Sequence, residues 1–380
     1  MTIDDLLRAV CEAHASDLHL KAGSLPMVRV DGEIRPLRGL SAITREMVHA
    51  IAAAIMSERQ KRKFQERGEI DLAYSAGSLG RFRANIFQER GETGMVLRVI
   101  PALIHGIDDL HLPRVVHRFC EERRGLVLVT GTAGCGKSTT LAAIIDEINS
   151  TRCGHILTIE DPIEFYHRDK KAFVNQREVG VDTLTFDDAL RSALRQDPDV
   201  LLVGEMRDLE TMRTALNAAE TGHLVFSTLH TMDAQETVQR IIGVFPAAEQ
   251  KQIRLQLAST LNGVISQRLV RRADGMGRVP AVEVLVATEF IRECIINPEK
   301  TRMIHEILAS GTSEYGMQTF DQSLYDLYSR GLITMSEASL WASNAQELKL
   351  RVEGISSASD PARREMERAS ILRVERFGGK

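Results

Sequence analysis

The sequence lacks the long apolar runs that mark membrane-spanning segments. None of its hydrophobic stretches reaches the ~18 consecutive apolar residues that a transmembrane helix needs. Its first residues, Met1–Leu6, do not combine a basic start with a following apolar core, so they do not resemble a secretory signal. Both absences predict a cytoplasmic protein.

Paired cysteines are also missing. The five cysteines stand singly along the chain, at Cys11, Cys120, Cys135, Cys153 and Cys294. An odd number of cysteines without a C-x-x-C pair favours neither a disulfide framework nor a zinc site. We expect reduced thiols.

An excess of basic residues is absent as well. The 48 Lys and Arg residues are outnumbered by 52 Asp and Glu, which gives a net charge of −4 at pH 7. This balance disfavours a protein whose main task is to neutralise nucleic-acid phosphates. With 380 residues, the chain exceeds the ~250–300 at which one hydrophobic core stops growing, so we expect two domains.

A glycine-rich loop is the most informative feature that is present. Gly131–Ser138 reads G-T-A-G-C-G-K-S and fits the phosphate-binding pattern G-x-x-x-x-G-K-[ST]. The apolar run before it predicts a buried strand, and helical spacing follows from Ser138 to Asn149. Glycines let backbone N–H groups converge on phosphate oxygens at a helix N-terminus. The chain is therefore predicted to bind a nucleoside triphosphate.

Each residue of this loop has an expected role. Lys137 would bridge the β- and γ-phosphates, and the Ser138 hydroxyl would bind Mg²⁺. Cys135 is either a small filler or a thiol whose pKa is lowered by the helix N-terminus. The predicted nucleotide-binding residues are Gly131, Thr132, Ala133, Gly134, Cys135, Gly136, Lys137, Ser138 and Thr139.

The first hundred residues alternate helical and strand-like patterns. Helical spacing covers 3–15 and 47–64, and strands are expected at 17–20, 28–30, 33–36, 81–87 and 93–100. Turns are expected at Asp31–Gly32 and Arg90–Gly91. We predict a small α+β domain over residues 1–100 and a linker over 101–113.

From Gly125 onward, apolar strands alternate with helices, which is typical of a parallel sheet. Strands are predicted at 125–129, 155–159, 200–203 and 224–227, with helices at 138–149, 187–194, 209–219 and, broken near Pro246, 235–261. We predict an α/β core at 114–285, a helical region at 286–353 and a flexible tail at 354–380.

Polar residues follow three of these predicted strands. Glu160–Glu164 comes after the second strand, Gly204–Asp208 after the third and Thr228–His230 after the fourth. Ligands of open α/β sheets bind at the carboxyl ends of the strands. We therefore expect acids and a histidine to face one crevice.

Four segments of the chain resemble, in order, the Walker A, Asp box, Walker B and His box of secretion and type IV pilus ATPases: Gly131–Ser138, Glu160–Glu164, Gly204–Asp208 and Ser227–His230. Four further segments resemble the retraction ATPases of the PilT/PilU family, namely Ser16–Leu20, Asn175–Gly180, Leu194–Asp199 and Gly316–Gln322. The resemblance covers residues 1–353. It implies a hexamer in which a RecA-like C-terminal domain binds ATP at the interface with a neighbour's PAS-like N-terminal domain.

The resemblance also implies roles for the strand-end residues. Glu205 is the first candidate to orient or activate the water, and Glu164 is the second. Glu160 and Asp161 would hold Mg²⁺ through water, beside Ser138. His230 would sense the γ-phosphate. The alternative for Glu205 is a salt-bridged structural role.

Arginines are the cations that the resemblance brings to the γ-phosphate. Arg83 and Arg98 correspond to family arginines that reach ATP, and both lie on neighbouring predicted strands. Arg81 is a third candidate on the same face as Arg83. Arg278, in a polar loop near Arg271, is a fourth.

The function implied is ATP-driven pilus retraction. Related assembly and secretion ATPases typically carry an extra N-terminal domain and a four-cysteine zinc insert, and neither is found here. Expected partners are further copies of the chain, an inner-membrane platform protein that recruits it from the cytoplasm, and a paralogous retraction ATPase.

Two alternatives stay open. Thr288–Ile295 departs from the corresponding PilT motif, and the C-terminal segments resemble PilU, which favours an accessory ring subunit. A RecA-like translocase is the other alternative, although the net acidity predicts no specific nucleic-acid partner.

Overall fold

The computed structural model describes residues 2–30, 32–37, 39–100, 103–311 and 315–353. It forms two compact units. Of the described residues, the first contains those up to Ile104 together with Asp161–Tyr166 and Gly180–Asp182, and the second contains those of 105–160, 167–179 and 183–353. The predicted tail at 354–380, Asp31 of the first predicted turn, and Pro101 and Ala102 of the predicted linker lie outside the described residues. The domain boundaries stay predictions.

The first unit is built on a six-stranded antiparallel sheet with the order β3-β2-β1-β6-β5-β4. Its strands are β1 (Asp17–Lys21), β2 (Met27–Val30), β3 (Glu33–Pro36), β4 (Glu69–Ser75), β5 (Arg81–Glu89) and β6 (Glu92–Ile100). Its helices are α1 (Ile3–Glu12), α2 (Arg45–Ile55) and α3 (Glu58–Arg67), with a 3-10 turn at Gly77–Leu79. Leu6, Leu18 and Phe82 are fully buried in one core.

One predicted helix of this unit is two helices. The stretch 47–64 is interrupted at Ser57, whose side chain accepts a hydrogen bond from the Gln60 backbone in a capping box. A capping serine starts a new helix even where helical spacing continues, because its side chain satisfies a free amide of the first turn. Strand β4 was not predicted, although Ile70, Leu72 and Tyr74 alternate with less apolar residues at the spacing of a strand.

The second unit is built on a seven-stranded sheet with the order β13-β12-β7-β11-β10-β8-β9. Its strands are β7 (Gly125–Thr130), β8 (His155–Glu160), β9 (Phe173–Glu178), β10 (Val200–Val203), β11 (Leu224–Leu229), β12 (Leu261–Arg271) and β13 (Arg278–Val286). All neighbouring strands are parallel except the β12–β13 hairpin. The prediction of a mainly parallel α/β sheet is confirmed.

Helices cover this sheet as α4 (Val115–Glu121), α5 (Lys137–Thr151), α6 (Phe186–Ala193), α7 (Leu209–Glu220), α8 (Ala234–Val244) and α9 (Gln250–Thr260). Every residue of β7, β10 and β11 is buried. Strands that are covered on both faces read as continuous apolar runs, which explains why these three were predicted.

The hairpin of β12 and β13 corrects one prediction. Arg278 does not lie in a loop: it is the first residue of β13 and pairs with Arg271 across the hairpin. The turn between the strands is short and contains Gly275 and Gly277, both at positive φ. Tight glycine turns allow both strands to extend to these arginines.

Helices follow the sheet, as predicted: α10 (Glu289–Ile296), α11 (Ile304–Ser310), α12 (Phe320–Ser329), α13 (Met335–Trp341) and α14 (Ala345–Val352), with a 3-10 helix at Pro298–Met303. Gly331, at a φ of 70°, follows α12 in the C′ position, where glycine commonly ends a helix. Among the residues described, no helix is long and apolar enough to cross a bilayer.

Candidate functional site

The glycine-rich loop joins the end of β7 to the start of α5. Gly131, Gly134 and Gly136 have φ values of 138°, 75° and 95°, which favour glycine. A Cβ on Gly131 would lie 2.5 Å from the Gln267 carbonyl oxygen, whereas a Cβ on Gly134 would meet nothing within 4 Å. The backbone is therefore pressed against β12 on one side and open on the other, as a phosphate cradle requires.

Lys137 supplies the positive charge of this loop. Its Nζ donates hydrogen bonds to the carbonyl oxygens of Gly131, at 2.7 Å, and Thr132, at 3.0 Å. The ammonium group therefore lies over the loop. No side chain caps α5 at Gly136, so the helix start presents its amides and its positive dipole end. The glycines, the helix start and the lysine together form a site that fits the phosphates of a nucleoside triphosphate.

Cys135 is a filler rather than a reactive thiol. Its side chain is 4% exposed, and burial raises the pKa of the thiol despite the nearby charge of Lys137. A protonated, buried thiol is a poor nucleophile. Of the two roles that the sequence left open, the structure favours the small packed residue.

Two residues of β12 brace the loop and were not foreseen from the sequence. The Thr130 hydroxyl donates to the Ser266 hydroxyl at 2.8 Å, and Gln267 Nε2 donates to the Thr140 hydroxyl at 2.7 Å. Both Ser266 and Gln267 are buried. The available signal was a polar pair inside an otherwise apolar segment, because buried polar residues need a partner.

The ends of β10 and β11 bring Glu205 and His230 together. The two strands pair in parallel, with Val203 opposite Ser227. His230 Nε2 lies 3.2 Å from Glu205 Oε1, and an Arg207 nitrogen lies 2.8 Å from Glu205 Oε2. Two of the predicted site residues thus meet at one crevice, and Arg207 joins them without having been predicted.

Glu205 is held in its ionised form. Burial raises the pKa of this carboxyl, but the hydrogen bonds and charges of Arg207 and His230 outweigh burial and lower the pKa below its usual range. An ionised carboxylate beside a histidine can orient a water and accept a proton. The ion pair also fits the salt-bridged structural role.

Glu160 ends β8 on the other side of β10. Ile159 pairs with Val203, which places Glu160 beside the Gly204–Glu205 strand end. Glu160 Oε1 accepts hydrogen bonds from the Thr158 hydroxyl, at 2.7 Å, and Gln176 Nε2, at 3.2 Å. Glu160, Glu205 and His230, which are part of the predicted set, therefore lie at the same edge of the sheet.

The other two predicted acids, Asp161 and Glu164, do not group with the second unit. Asp161 and Glu164 belong to the segment Asp161–Tyr166, which groups with the first unit. Within the described ranges, no cluster of three or more His, Cys, Asp or Glu side chains could hold a metal ion. The Ser138 hydroxyl, in the first turn of α5, has the donor chemistry of a Mg²⁺ ligand that works together with phosphate oxygens.

The predicted arginines of the first unit lie directly opposite each other. Arg83 of β5 pairs with Arg98 of β6. Arg98 Nε donates to Asp17 at 2.8 Å, and Arg83 Nε lies 3.8 Å from Asp71. Their side chains are 68% and 43% exposed, so both guanidinium groups remain accessible. Arg81 lies two residues before Arg83 on the same strand face, and Arg278 is exposed on β13.

The chain is similar to known proteins over most of its length. The family described as Type II/IV secretion system protein matches residues 1–314. The chain is 48% identical to the type IV pilus retraction ATPase PilT of Pseudomonas aeruginosa over 338 residues, 89% of this chain and 97% of that protein. It is 41% identical to the type IV pilus ATPase PilU of the same organism over 362 residues, 95% of this chain and 93% of that protein.

Among solved structures, the pilus retraction motor PilT with bound ADP superimposes with a TM-score of 0.86 at 46% identity. The match covers 92% of this chain and 99% of that one. That structure holds ADP, which supports nucleotide binding by this chain.

Proposed function

The chain belongs to the Type II/IV secretion system protein family and is a P-loop ATPase, and on that premise we propose that it is a hexameric motor that powers type IV pilus retraction. The observation that carries the proposal is the contact of Glu205 with His230 at 3.2 Å, at the strand ends next to the phosphate loop. The similarity to PilT over 97% of that protein supports retraction as the work done.

The residues of the loop bind and orient ATP. Lys137 neutralises the β- and γ-phosphates, and the amides of 131–136 and of the start of α5 bind their oxygens. Ser138 would hold Mg²⁺, with Glu160 and Asp161 acting through water. Bound Mg²⁺ supplies charge neutralisation to the phosphates. The chain's own contribution is therefore mostly positioning and electrostatic stabilisation.

The strand-end pair carries hydrolysis. Glu205 orients the attacking water and accepts its hydrogen bond, while Arg207 keeps the carboxylate charged. As the water oxygen attacks the γ-phosphorus, the bond to the bridging oxygen breaks and ADP leaves. His230 registers the presence of the γ-phosphate through Glu205. Glu164 is the second candidate for orienting or activating this water.

Arginines link hydrolysis to movement. We assign Arg83 and Arg98 to the γ-phosphate of a neighbouring subunit, with Arg81 and Arg278 as further candidates. Their guanidinium groups, opposed across β5 and β6, stay accessible although each lies beside an aspartate. Because such cations stabilise the transition state only when two subunits close, each closure would accompany one hydrolysis event.

The proposed partners follow from this assignment. The motor would act on the inner-membrane platform protein at the base of the pilus, as a cytoplasmic ring at that membrane, together with a paralogous retraction ATPase. A specific nucleic-acid partner is not proposed, since the net charge is −4. A low-salt gel-shift assay with a single-stranded oligonucleotide tests this point.

A second candidate function is an accessory ring subunit that assists another retraction ATPase. The observation that favours it is the PilU match, which covers 95% of this chain, against 89% for PilT. In this case the subunit would bind ATP and join the ring machinery while the partner performs retraction.

Twitching motility separates the two functions. The chain is expressed in a piliated bacterium that lacks its own PilT, and in one that lacks only PilU, with Glu205→Gln as the inactive control. An independent motor restores twitching in both strains. An accessory subunit restores it only where PilT is present, and no restoration in either strain contradicts the proposal.

A further inference from the structure

A buried carboxylate anchors the start of α8. Glu283 lies within β13 and is only 2% exposed. One of its oxygens accepts a hydrogen bond from the Ala234 backbone amide at 2.9 Å. Ala234 is the first residue of α8 and is fully buried. Since burying a carboxylate is costly, this position calls for an explanation beyond packing.

Helix α8 follows the loop that carries His230. The segment His230–Asp233 joins β11 to α8, and local hydrogen bonds tie it to the first turns of the helix. Glu236 accepts a hydrogen bond from the Met232 amide at 2.7 Å, and the Thr231 and Thr237 hydroxyls lie 2.7 Å apart. The loop and the helix start are therefore one connected piece, so a shift of Ala234 moves His230 with it.

Glu283 connects this piece to the sheet. Its neighbours include three charged groups: Asp233 at the helix N-cap, Arg268 of β12 and Asp321 of α12. Burial raises the pKa of Glu283 to about 7. The two aspartates add to that rise, while the Ala234 amide and Arg268 oppose it. Arg268 is itself held by stacking on Phe320 and by a hydrogen bond to the Trp341 carbonyl at 2.7 Å.

We propose that Glu283 is a positioning residue for hydrolysis, which holds the His230 loop against Glu205 through the Ala234 amide and holds it more firmly when it is ionised. The inference rests on the proposed roles of Glu205 and His230. Its physical basis is that an ionised acceptor makes a stronger hydrogen bond than a neutral one, and that negative charge is favoured at a helix N-terminus.

Two substitutions separate the acceptor from the charge. Glu283→Gln keeps an oxygen that can accept from Ala234 and stays neutral at every pH. Glu283→Leu has a similar volume and no acceptor. As a matched control, Glu293→Gln removes an exposed carboxylate of α10 that pairs with Lys300. Thermal unfolding of all proteins shows whether each variant is folded at the assay temperature.

The readout is turnover from pH 6 to 8.5. We expect Glu283→Gln to match the wild type near pH 6 and to be ~3- to 10-fold slower near pH 8.5, because a charged hydrogen bond is roughly twice as strong as a neutral one. Glu283→Leu should be slower at every pH, and Glu293→Gln should follow the wild type. Folded variants that both reproduce the wild-type profile would overturn the inference.

Hydrogen exchange provides a readout that does not depend on activity. Amides of 229–237 should exchange faster in Glu283→Leu than in the wild type, and in Glu283→Gln only at the higher pH values. If the wild type proves inactive, the proposed function fails. Hydrogen exchange would still show whether Glu283 holds the 229–237 segment in place. Unchanged exchange in both variants would refute the role of Glu283.

Discussion

The two sheets of this molecule place their functional residues in different ways. The parallel strands β7, β10 and β11 are buried along their whole length, so the candidate residues that follow them, such as Lys137, Glu205 and His230, stand beyond the strand ends. The antiparallel strand β5 alternates buried and accessible positions over most of its length, and β6 also has accessible positions within it, so Arg83 and Arg98 can stand in mid-strand. Strand coverage therefore decides where chemistry can be located.

The difference extends to electrostatics. Glu205 is 18% exposed and held between two basic groups, whereas the Arg98 side chain is 68% exposed and bridges to the buried Asp17. A sheltered charge is positioned in advance, whereas an exposed one can change partners. In the proposed mechanism, the parallel sheet would hold the reacting groups and the antiparallel sheet would supply accessible cations.

Loss of the loop cation should have the largest effect. Lys137→Ala is expected to weaken ATP binding by at least ~100-fold, because the loop loses the charge that faces the phosphates. Titration with a fluorescent nucleotide measures the affinity. Lys170→Ala, which removes an exposed lysine paired with Asp146, is the matched control and should bind normally. Normal affinity in Lys137→Ala would contradict the nucleotide site.

Loss of an antiparallel-sheet arginine should affect turnover but not binding. Arg83→Ala is expected to lower the turnover number by ~10- to 1,000-fold while ATP affinity changes little, since the arginine acts in the transition state. Phosphate release and nucleotide titration are measured on the same sample.

Mixing experiments then test whether the arginine acts across subunits. Rings that combine Arg83→Ala with Lys137→Ala subunits should recover part of the activity, because some interfaces would carry neither defect. Absence of any recovery would place the arginine's action within one subunit and would weaken the contrast between the two sheets.

Two glycines of the phosphate loop differ in how closely β12 approaches them. Gly131→Ala should destabilise the protein by about 2–4 kcal/mol, because the Cβ would collide with the Gln267 carbonyl in addition to the strained φ. Gly134→Ala meets open space and should cost about 1 kcal/mol for φ alone. Urea unfolding of both variants measures the difference, and equal losses would contradict the close approach of β12.

A buried histidine of the second unit predicts an acid-sensitive stability. Burial lowers the pKa of His167 to about 4. Between pH 6.5 and 4 the histidine is therefore protonated in the unfolded chain but neutral in the folded chain. The free energy of unfolding is therefore unaffected by this histidine above pH 6.5 and falls as the pH is lowered towards 4. His167→Phe should reduce the acid-induced loss by up to about 2 kcal/mol. Urea unfolding at pH 7 and 5 would refute this if both proteins lost equal stability.

The sequence predicted best where one physical cause dominates. The apolar runs of β7, β10 and β11 announce buried strands, and the two-residue turn at Arg90–Gly91, with both φ values positive, fixes the register that opposes Arg83 and Arg98. The meeting of Glu205 and His230 follows from parallel strand order.

Other features depend on side-chain reach and tertiary contacts. Arg207 lies two residues after Glu205, and no periodic pattern marks it as a partner. Ser266 and Gln267 interrupt the apolar pattern of β12, because they brace the phosphate loop, and this obscured the strand. The role of Ser266 and Gln267 becomes clear only when the sheet order shows that β12 lies beside the phosphate loop.

The proposed site hydrolyses ATP at the ends of the parallel strands, and the decisive measurement is steady-state phosphate release. Purified wild type and Glu205→Ala are compared, with the assembly state of each sample recorded by light scattering. We predict turnover by a hexameric wild type and a loss of at least ~100-fold in a Glu205→Ala ring that still assembles and binds ATP. Equal turnover in the two proteins, or an assembled wild type without turnover, would contradict the account.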